Sequence, residues 1–334
     1  MSLLIGMTFL SPFSQLTPGA FVPYLTFTLL CSVRIDKLSL NSAQQKFLLS
    51  VSVIVALLCF LAFFRVAIVM DIQESYYQMF PDLYKFMMMW ANKPVLMFAT
   101  HSVAGFAYYL IAICLLAAYL SQIDLKHRWV LLLLSITYSV ILVLLLSNTG
   151  LALFLMLLGI YSVLFLRYGK PVAVLLVLFS ITAVVLYFYQ PILLVIDMAT
   201  DLVVEVLSRK ENGLLARFST ESRLGGSINY LTASPVVGVG MTSGGDIAFG
   251  DSFYAEYMLR LGFWGYFLVA FVTYGYLFIN TKAKKYFFAL AMLVFIADLG
   301  YPLFVTYRFV FLFPVVIILL NTLSRHTQSG PELK

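Results

Sequence analysis

Residues 102–121 read SVAGFAYYLIAICLLAAYLS, a run without a single charge. QIDLKHR follows at 122–128, and then a second uncharged run, WVLLLLSITYSVILVLLL, at 129–146. About 20 apolar residues at ~1.5 Å rise each match the hydrocarbon thickness of a bilayer. Working outward, the same pattern predicts ten spanning helices at about 2–15, 18–33, 47–69, 102–121, 128–146, 150–166, 171–190, 253–279, 286–301 and 304–323. Pro12 and Pro18 interrupt the first, so one re-entrant N-terminal segment and nine spans is the alternative. Hydrophobic residues make up 62% of the chain, charged residues 11%, and mean hydropathy is +0.98. A soluble domain of 334 residues has no interior large enough for that apolar surface. The expected fold is therefore an all-α, polytopic integral membrane protein, with residues 1–334 forming a single membrane domain.

Basic residues orient it. Arg34, Lys37, Lys46, Lys126, Arg128, Arg167, Lys170, Lys282, Lys284, Lys285, Arg325 and Lys334 fall in every second loop and at the C-terminus. Only Asp36, Asp124 and Glu332 accompany them. By the positive-inside rule that side is cytoplasmic and both termini lie there. The net charge of +6 reads as orientation and contact with anionic lipid rather than nucleic-acid binding. With no basic n-region and no small-residue cleavage site at the N-terminus, a cleavable signal peptide is not expected. Cys31, Cys59 and Cys114 all sit inside apolar runs, which suggests neither a disulfide nor a thiolate metal site. The sequence has no GxxxxGK[ST] phosphate-binding loop, so ATP is not expected to drive the protein.

Two outer segments are long. The smaller, about 70–101, carries Tyr76, Tyr77, Tyr84 and Trp90, which suit an interfacial aromatic belt or a stacking surface for a sugar. The larger, 191–252, opens with apolar residues at helical spacing and with Asp197, Asp201 and Glu205 on one stripe. A solvated face explains that stripe, and a divalent-cation row is the alternative. Beyond it Arg209, Lys210, Arg217 and Arg223 place positive charge on the outer side, against the orientation rule. Glycines 225, 226, 238, 240, 244, 245 and 250 crowd the same stretch. Plain loop geometry accounts for such glycines. Their amides can also cradle phosphate oxygens, and Arg offers a planar bidentate fork to the same group.

Arg65, His101, Asp251, Glu256, Arg260, Asp298 and Arg308 lie in or near the membrane, where ionisable groups are costly and therefore functional candidates. Snorkelling is the alternative for Arg65 and Arg260, and a structural ion pair for Asp298 with Arg308. His101 and Asp251 each open a span from the outer surface, beside Ser102 and Ser252.

The segments ESRLGGSINYLTASPVVGVG (221–240) and GDSFYAEYMLRLGFWGYF (250–267) resemble the outer-loop signature of the O-antigen ligase and Wzy-type O-antigen polymerase superfamily. Its parts here are Arg223, the Pro235–Gly238–Gly240 turn, Asp251–Ser252 and Gly262–Gly265. NKPVLMFATHSVAGFAYYL (92–110) is similar to the family's His/Asn-containing helix start, with His101–Ser102 in the key place, and SNTGLALFLMLLGIYSVLFLRYGK (147–170) to its Ser-Arg-Gly helix. The order agrees over roughly 45–320. Two departures stand out. Asn148–Thr149 replaces the Ser-Arg pair, which leaves that arginine role absent or moved to Arg65. Asp251 stands where ligases have His.

The resemblance implies a metal-independent, GT-C-like glycosyltransferase membrane domain in the bacterial inner membrane, active on its periplasmic face and needing no cofactor. Its substrate would be undecaprenyl-pyrophosphate-linked oligosaccharide, and its partners a flippase and a chain-length regulator. Asp251, with His101, is then expected to be catalytic. Arg217, Arg223, Arg65 and Arg308 are expected to bind the pyrophosphate, and Gly238 and Gly240 to shape the loop. An O-antigen ligase is the near alternative. A secondary transporter or lipid flippase is the alternative from another class, although no internal repeat is visible.

Overall fold

The computed structural model describes residues 18–79, 93–98, 100–121, 128–167, 229–240, 253–300 and 307–328. Nine helices are delimited within them: α1 (Pro18–Ser32), α2 (Ser42–Phe63), α3 (Ala67–Gln78), α4 (His101–Leu120), α5 (Arg128–Leu144), α6 (Asn148–Arg167), α7 (Phe253–Asn280), α8 (Lys284–Gly300) and α9 (Tyr307–Gln328). No strand occurs among the described residues. Ser42–Phe63, His101–Leu120 and Glu256–Asn280 are long and apolar enough to cross a membrane, and α5, α6, α8 and α9 carry shorter apolar stretches. The all-helical membrane class therefore holds. The first and seventh predicted spans, 2–15 and 171–190, lie outside the described residues.

The chain divides into two compact units, one of Met1–Leu38 with Thr200–Asn321, the other of Ser39–Ala199 with Thr322–Lys334.

In the second unit α4 is the core. Alanine and glycine at 104, 105, 107, 112 and 117 let α5 and α6 approach closely, and most of α4 is buried on all sides. Side-chain hydroxyls fasten the apolar interior. Ser135 Oγ donates to the Ala112 carbonyl at 2.7 Å and lies 2.7 Å from the Tyr161 hydroxyl. Tyr138 donates to the Ser52 carbonyl at 2.6 Å. Asn41 and Gln44 form a reciprocal capping box that starts α2.

The third predicted span, 47–69, is corrected. α2 stops at Phe63, Arg65 turns the chain with φ +54°, and α3 resumes at Ala67. Arg65 is exposed at the elbow between the two helices. Tyr77 is corrected too. It is 1% exposed and donates to the Leu96 carbonyl at 2.7 Å, so it latches the loop instead of joining an aromatic belt.

In the first unit α1, α7, α8 and α9 are tied at one end by asparagines. Asn280 accepts from the Ile35 amide at 2.8 Å, Asn321 donates to the Asn280 carbonyl at 2.7 Å, and Asn321 accepts from the Lys282 amide at 2.9 Å. α7 is not continuous: Gly262, with φ +67°, breaks it.

Candidate functional site

Two places collect the polar side chains, one in each unit. In the second unit the strap 93–98 packs against α4 through the Tyr108 hydroxyl and ring. Lys93 Nζ donates to the Leu146 carbonyl at 2.8 Å, just beyond the C-terminus of α5. Tyr108 donates to the Pro94 carbonyl and Gln73 to the Leu96 carbonyl, at 2.7 and 2.8 Å. Leu96 and Leu146 both hold positive φ, +51° and +46°, so two of these carbonyls belong to strained residues that the donors keep in place. Burial pushes the Lys93 ammonium below the usual lysine range.

Thr100 caps α4 by accepting from the Val103 amide, and His101 is its first residue. Ser102 Oγ lies 3.2 Å from Thr149 Oγ1 in the first turn of α6. The two segments that carry the upstream resemblance thus meet at one point, through residues 47 apart in sequence. Gly150 in the same turn has no room for a Cβ, which would come 2.5 Å from the Leu142 carbonyl.

In the first unit the turn 234–240 is stitched into the break in α7. The Val239 amide donates to the Leu259 carbonyl at 2.6 Å and the Gly240 amide to the Arg260 carbonyl at 3.0 Å. The Phe263 amide donates back to Pro235 at 3.1 Å. Gly238, Gly240 and Gly262 all have φ near +70°, and a Cβ on Gly238 or Gly262 would strike backbone of the opposite strand of this crossing. The Gly238 amide is also engaged, by the Ser234 carbonyl at 2.8 Å. Amides 239 and 240 therefore serve the crossing and the Gly238 amide closes the turn, so none of the three is free to cradle a phosphate.

One turn from the break, Arg260 and Glu256 form a buried ion pair, 6% and 5% exposed. The Tyr24 hydroxyl donates to Glu256 Oε1 at 3.0 Å, and the Arg260 guanidinium stands 6.0 Å from the centre of the Tyr24 ring. Tyr257 meets Tyr24 edge to face at 5.5 Å. Snorkelling is thus corrected for Arg260, whose head is held inside the protein. Asp298 on α8 is 2% exposed, and its Oδ1 has no hydrogen-bond partner among the described residues. The side chain of Arg308, its expected partner, lies outside the described part. Asp251, Arg217 and Arg223 are likewise outside the described residues, as are Asp197, Asp201 and Glu205.

The i,i+4 spacing of Glu256 and Arg260 inside an apolar run was a legible sign of pairing. Tyr24, 232 residues away from Glu256, had no such signal, and neither did Lys93. No group of three or more potential metal ligands occurs among the described residues. Compared with models of known families, with curated proteins and with solved structures, the chain matches none. What stands is the class: an all-helical membrane protein with a broken, loop-stitched helix in one unit and a strapped helix start in the other.

Proposed function

We propose that this protein is a lipid-linked-sugar-dependent glycosyltransferase that polymerises undecaprenyl-pyrophosphate-linked repeat units on the periplasmic face of the inner membrane. The observation that supports it most is the stitched crossing. The Pro235–Gly240 turn and the Gly262 segment, two parts of the resemblance separated in sequence, form one hydrogen-bonded unit. In sequence, Arg223 precedes that unit and Asp251 lies between its two parts.

In the proposed reaction a hydroxyl at the non-reducing end of a new lipid-linked unit attacks the anomeric carbon of the growing chain. The glycosidic bond forms as the bond to undecaprenyl pyrophosphate breaks. Asp251 takes the hydroxyl proton, with His101 the second candidate, and Arg217 and Arg223 neutralise the departing pyrophosphate. The pyrophosphate ester supplies the driving force, in keeping with a sequence that lacks a nucleotide motif.

Deleting the gene and resolving lipopolysaccharide on a gel tests this. A core bearing one repeat unit supports polymerase. A bare core with accumulated lipid-linked polymer points instead to a ligase. The second reading, a transporter or flippase, draws on the break in α7 beside buried Glu256, Arg260 and Asp298, since discontinuous helices and buried charge mark transport sites. It predicts unit-length glycan retained on the cytoplasmic side.

A further inference from the structure

The hydrogen bonds that tie one end of the first unit also bring together two basic segments far apart in sequence. The Ile35 amide donates to Asn280 Oδ1 at 2.8 Å, across 245 positions of the chain. The Lys282 amide donates to Asn321 Oδ1, and Asn321 Nδ2 donates to the Asn280 carbonyl. Ile35, Asn280 and Asn321 are buried, and the charges lie around them. At ~3.8 Å between successive Cα atoms, Arg34 and Lys37 start within two residues of Ile35, and Lys282 within two of Asn280. Arg34, Lys37, Lys282 and Lys284 are all exposed. With Lys285, segments 34–37 and 282–285 carry five cations against one carboxylate, Asp36, which Arg34 meets at 3.4 Å. Like charges gathered this closely repel, and an anion seated on them relieves the repulsion.

What surrounds the charges selects the anion. Val33 and Leu38 bracket the first segment, Phe278, Ile279 and Phe288 flank the second, and each is at least half exposed. Lys284 Nζ stands 3.3 Å from the centre of the Phe278 ring, so an ammonium and exposed apolar surface are in direct contact. An acidic protein segment would leave that apolar rim in water. A phospholipid covers both, with its phosphate on the cations and its acyl chains along the rim.

We propose that the two segments form one headgroup site for an anionic glycerophospholipid, with Arg34 supplied by the first and Lys282 and Lys284 by the second. Basic loops counted along the sequence orient the chain, whereas the buried asparagines make two of those loops a local site. The site stands whether or not the protein is a polymerase.

The test uses the full chain in nanodiscs of equimolar phosphatidylglycerol and phosphatidylcholine, with the lipid retained on release read by native mass spectrometry. The wild-type protein is expected to retain phosphatidylglycerol in preference. Arg34→Gln and Lys284→Gln should each lower that preference about fivefold, the effect of one basic residue near an anionic surface. Both variants should melt like the parent, because both side chains are exposed. Lys46→Gln removes an exposed cation of the other unit and should leave the preference unchanged. An equal loss in Lys46→Gln would mean a diffuse field with no site and would overturn the proposal. So would an unchanged preference in Arg34→Gln or Lys284→Gln, or an oligoglutamate peptide that binds more tightly than phosphatidylglycerol.

Discussion

The amide of Gly240 donates to the carbonyl of Arg260 at 3.0 Å, joining the glycine turn to the residue whose guanidinium holds Glu256. A helix broken at Gly262 leaves carbonyls of the preceding turn without intrahelical partners, and in an apolar setting such groups need others. The turn supplies them. Substitutions that separate turn from helix should therefore cost more than an ordinary glycine change. Gly238→Ala and Gly262→Ala place a Cβ against backbone and force a positive φ on an L residue. Each is expected to destabilise by more than ~1 kcal/mol. Gly275→Ala, where a Cβ meets nothing within 4 Å, is the control and should be neutral or stabilising by up to ~1 kcal/mol. Thermal melts in detergent, followed by size-exclusion fluorescence, read the difference.

The buried charges of the first unit make opposite predictions. Removing one member of the Glu256–Arg260 pair strands the other, so Glu256→Gln and Arg260→Met should each cost ~3–5 kcal/mol, and the double variant less than their sum. Asp298, whose Oδ1 has no hydrogen-bond partner among the described residues, should behave otherwise. Asp298→Asn replaces a buried carboxyl at nearly constant shape and is expected to hold or raise the melting temperature. A double-variant cycle that proves additive would show that the pair is not energetically coupled.

How far the chain could be read in advance follows from the range of each signal. Span and helix class were legible because twenty uncharged residues at 102–121 admit few other solutions. The elbow at Arg65 was not, since Phe63 and Phe64 before it and Val66 and Ala67 after it continue the apolar pattern on both sides while the backbone turns. Gly238 and Gly240 stood out as glycines, but their purpose depends on carbonyls at 259 and 260, which a one-dimensional pattern does not reveal. Ser102 and Thr149 were each singled out without any sign that they touch.

Topology can be measured directly. Cysteines at Glu74, Glu211 and Gly244 are expected to react with an impermeant thiol reagent in whole cells, and those at Gln122, Gly169 and Lys284 to stay silent. A Cys31→Ser background suffices, because Cys59 and Cys114 are buried. Labelling of the second set alone would invert the orientation and place the 191–252 loop in the cytoplasm.

The proposed pyrophosphate clamp rests on the expectation that Arg217 and Arg223 stand on the outer side, against the charge rule. Arg223→Ala is expected to abolish long polymer at unchanged protein abundance. Arg223→Lys should recover little, because a point charge does not reproduce the bidentate fork. An arginine that merely anchors the interface predicts full rescue by Lys, so immunoblot and lipopolysaccharide ladder together decide between them.

Asp251 precedes α7 by two residues, since that helix begins at Phe253. A helix dipole favours the ionised form of a carboxylate near a helix N-terminus, which suits a proton acceptor. Ser252 fills the position directly before Phe253, and a carboxylate beside it can also serve only to start the helix, so the two roles must be separated by chemistry. Asn and Ser cap a helix about as well as Asp, at a cost well under ~1 kcal/mol, but neither accepts a proton at neutral pH. Asp251→Asn and Asp251→Ser are therefore expected to insert and melt like the parent, yet leave lipopolysaccharide with a single repeat unit. If Asp251→Asn still makes long polymer, the residue is a cap. The proton then has to go to His101, and His101→Ala, tested in the same gel, should remove the ladder that Asp251→Asn retained.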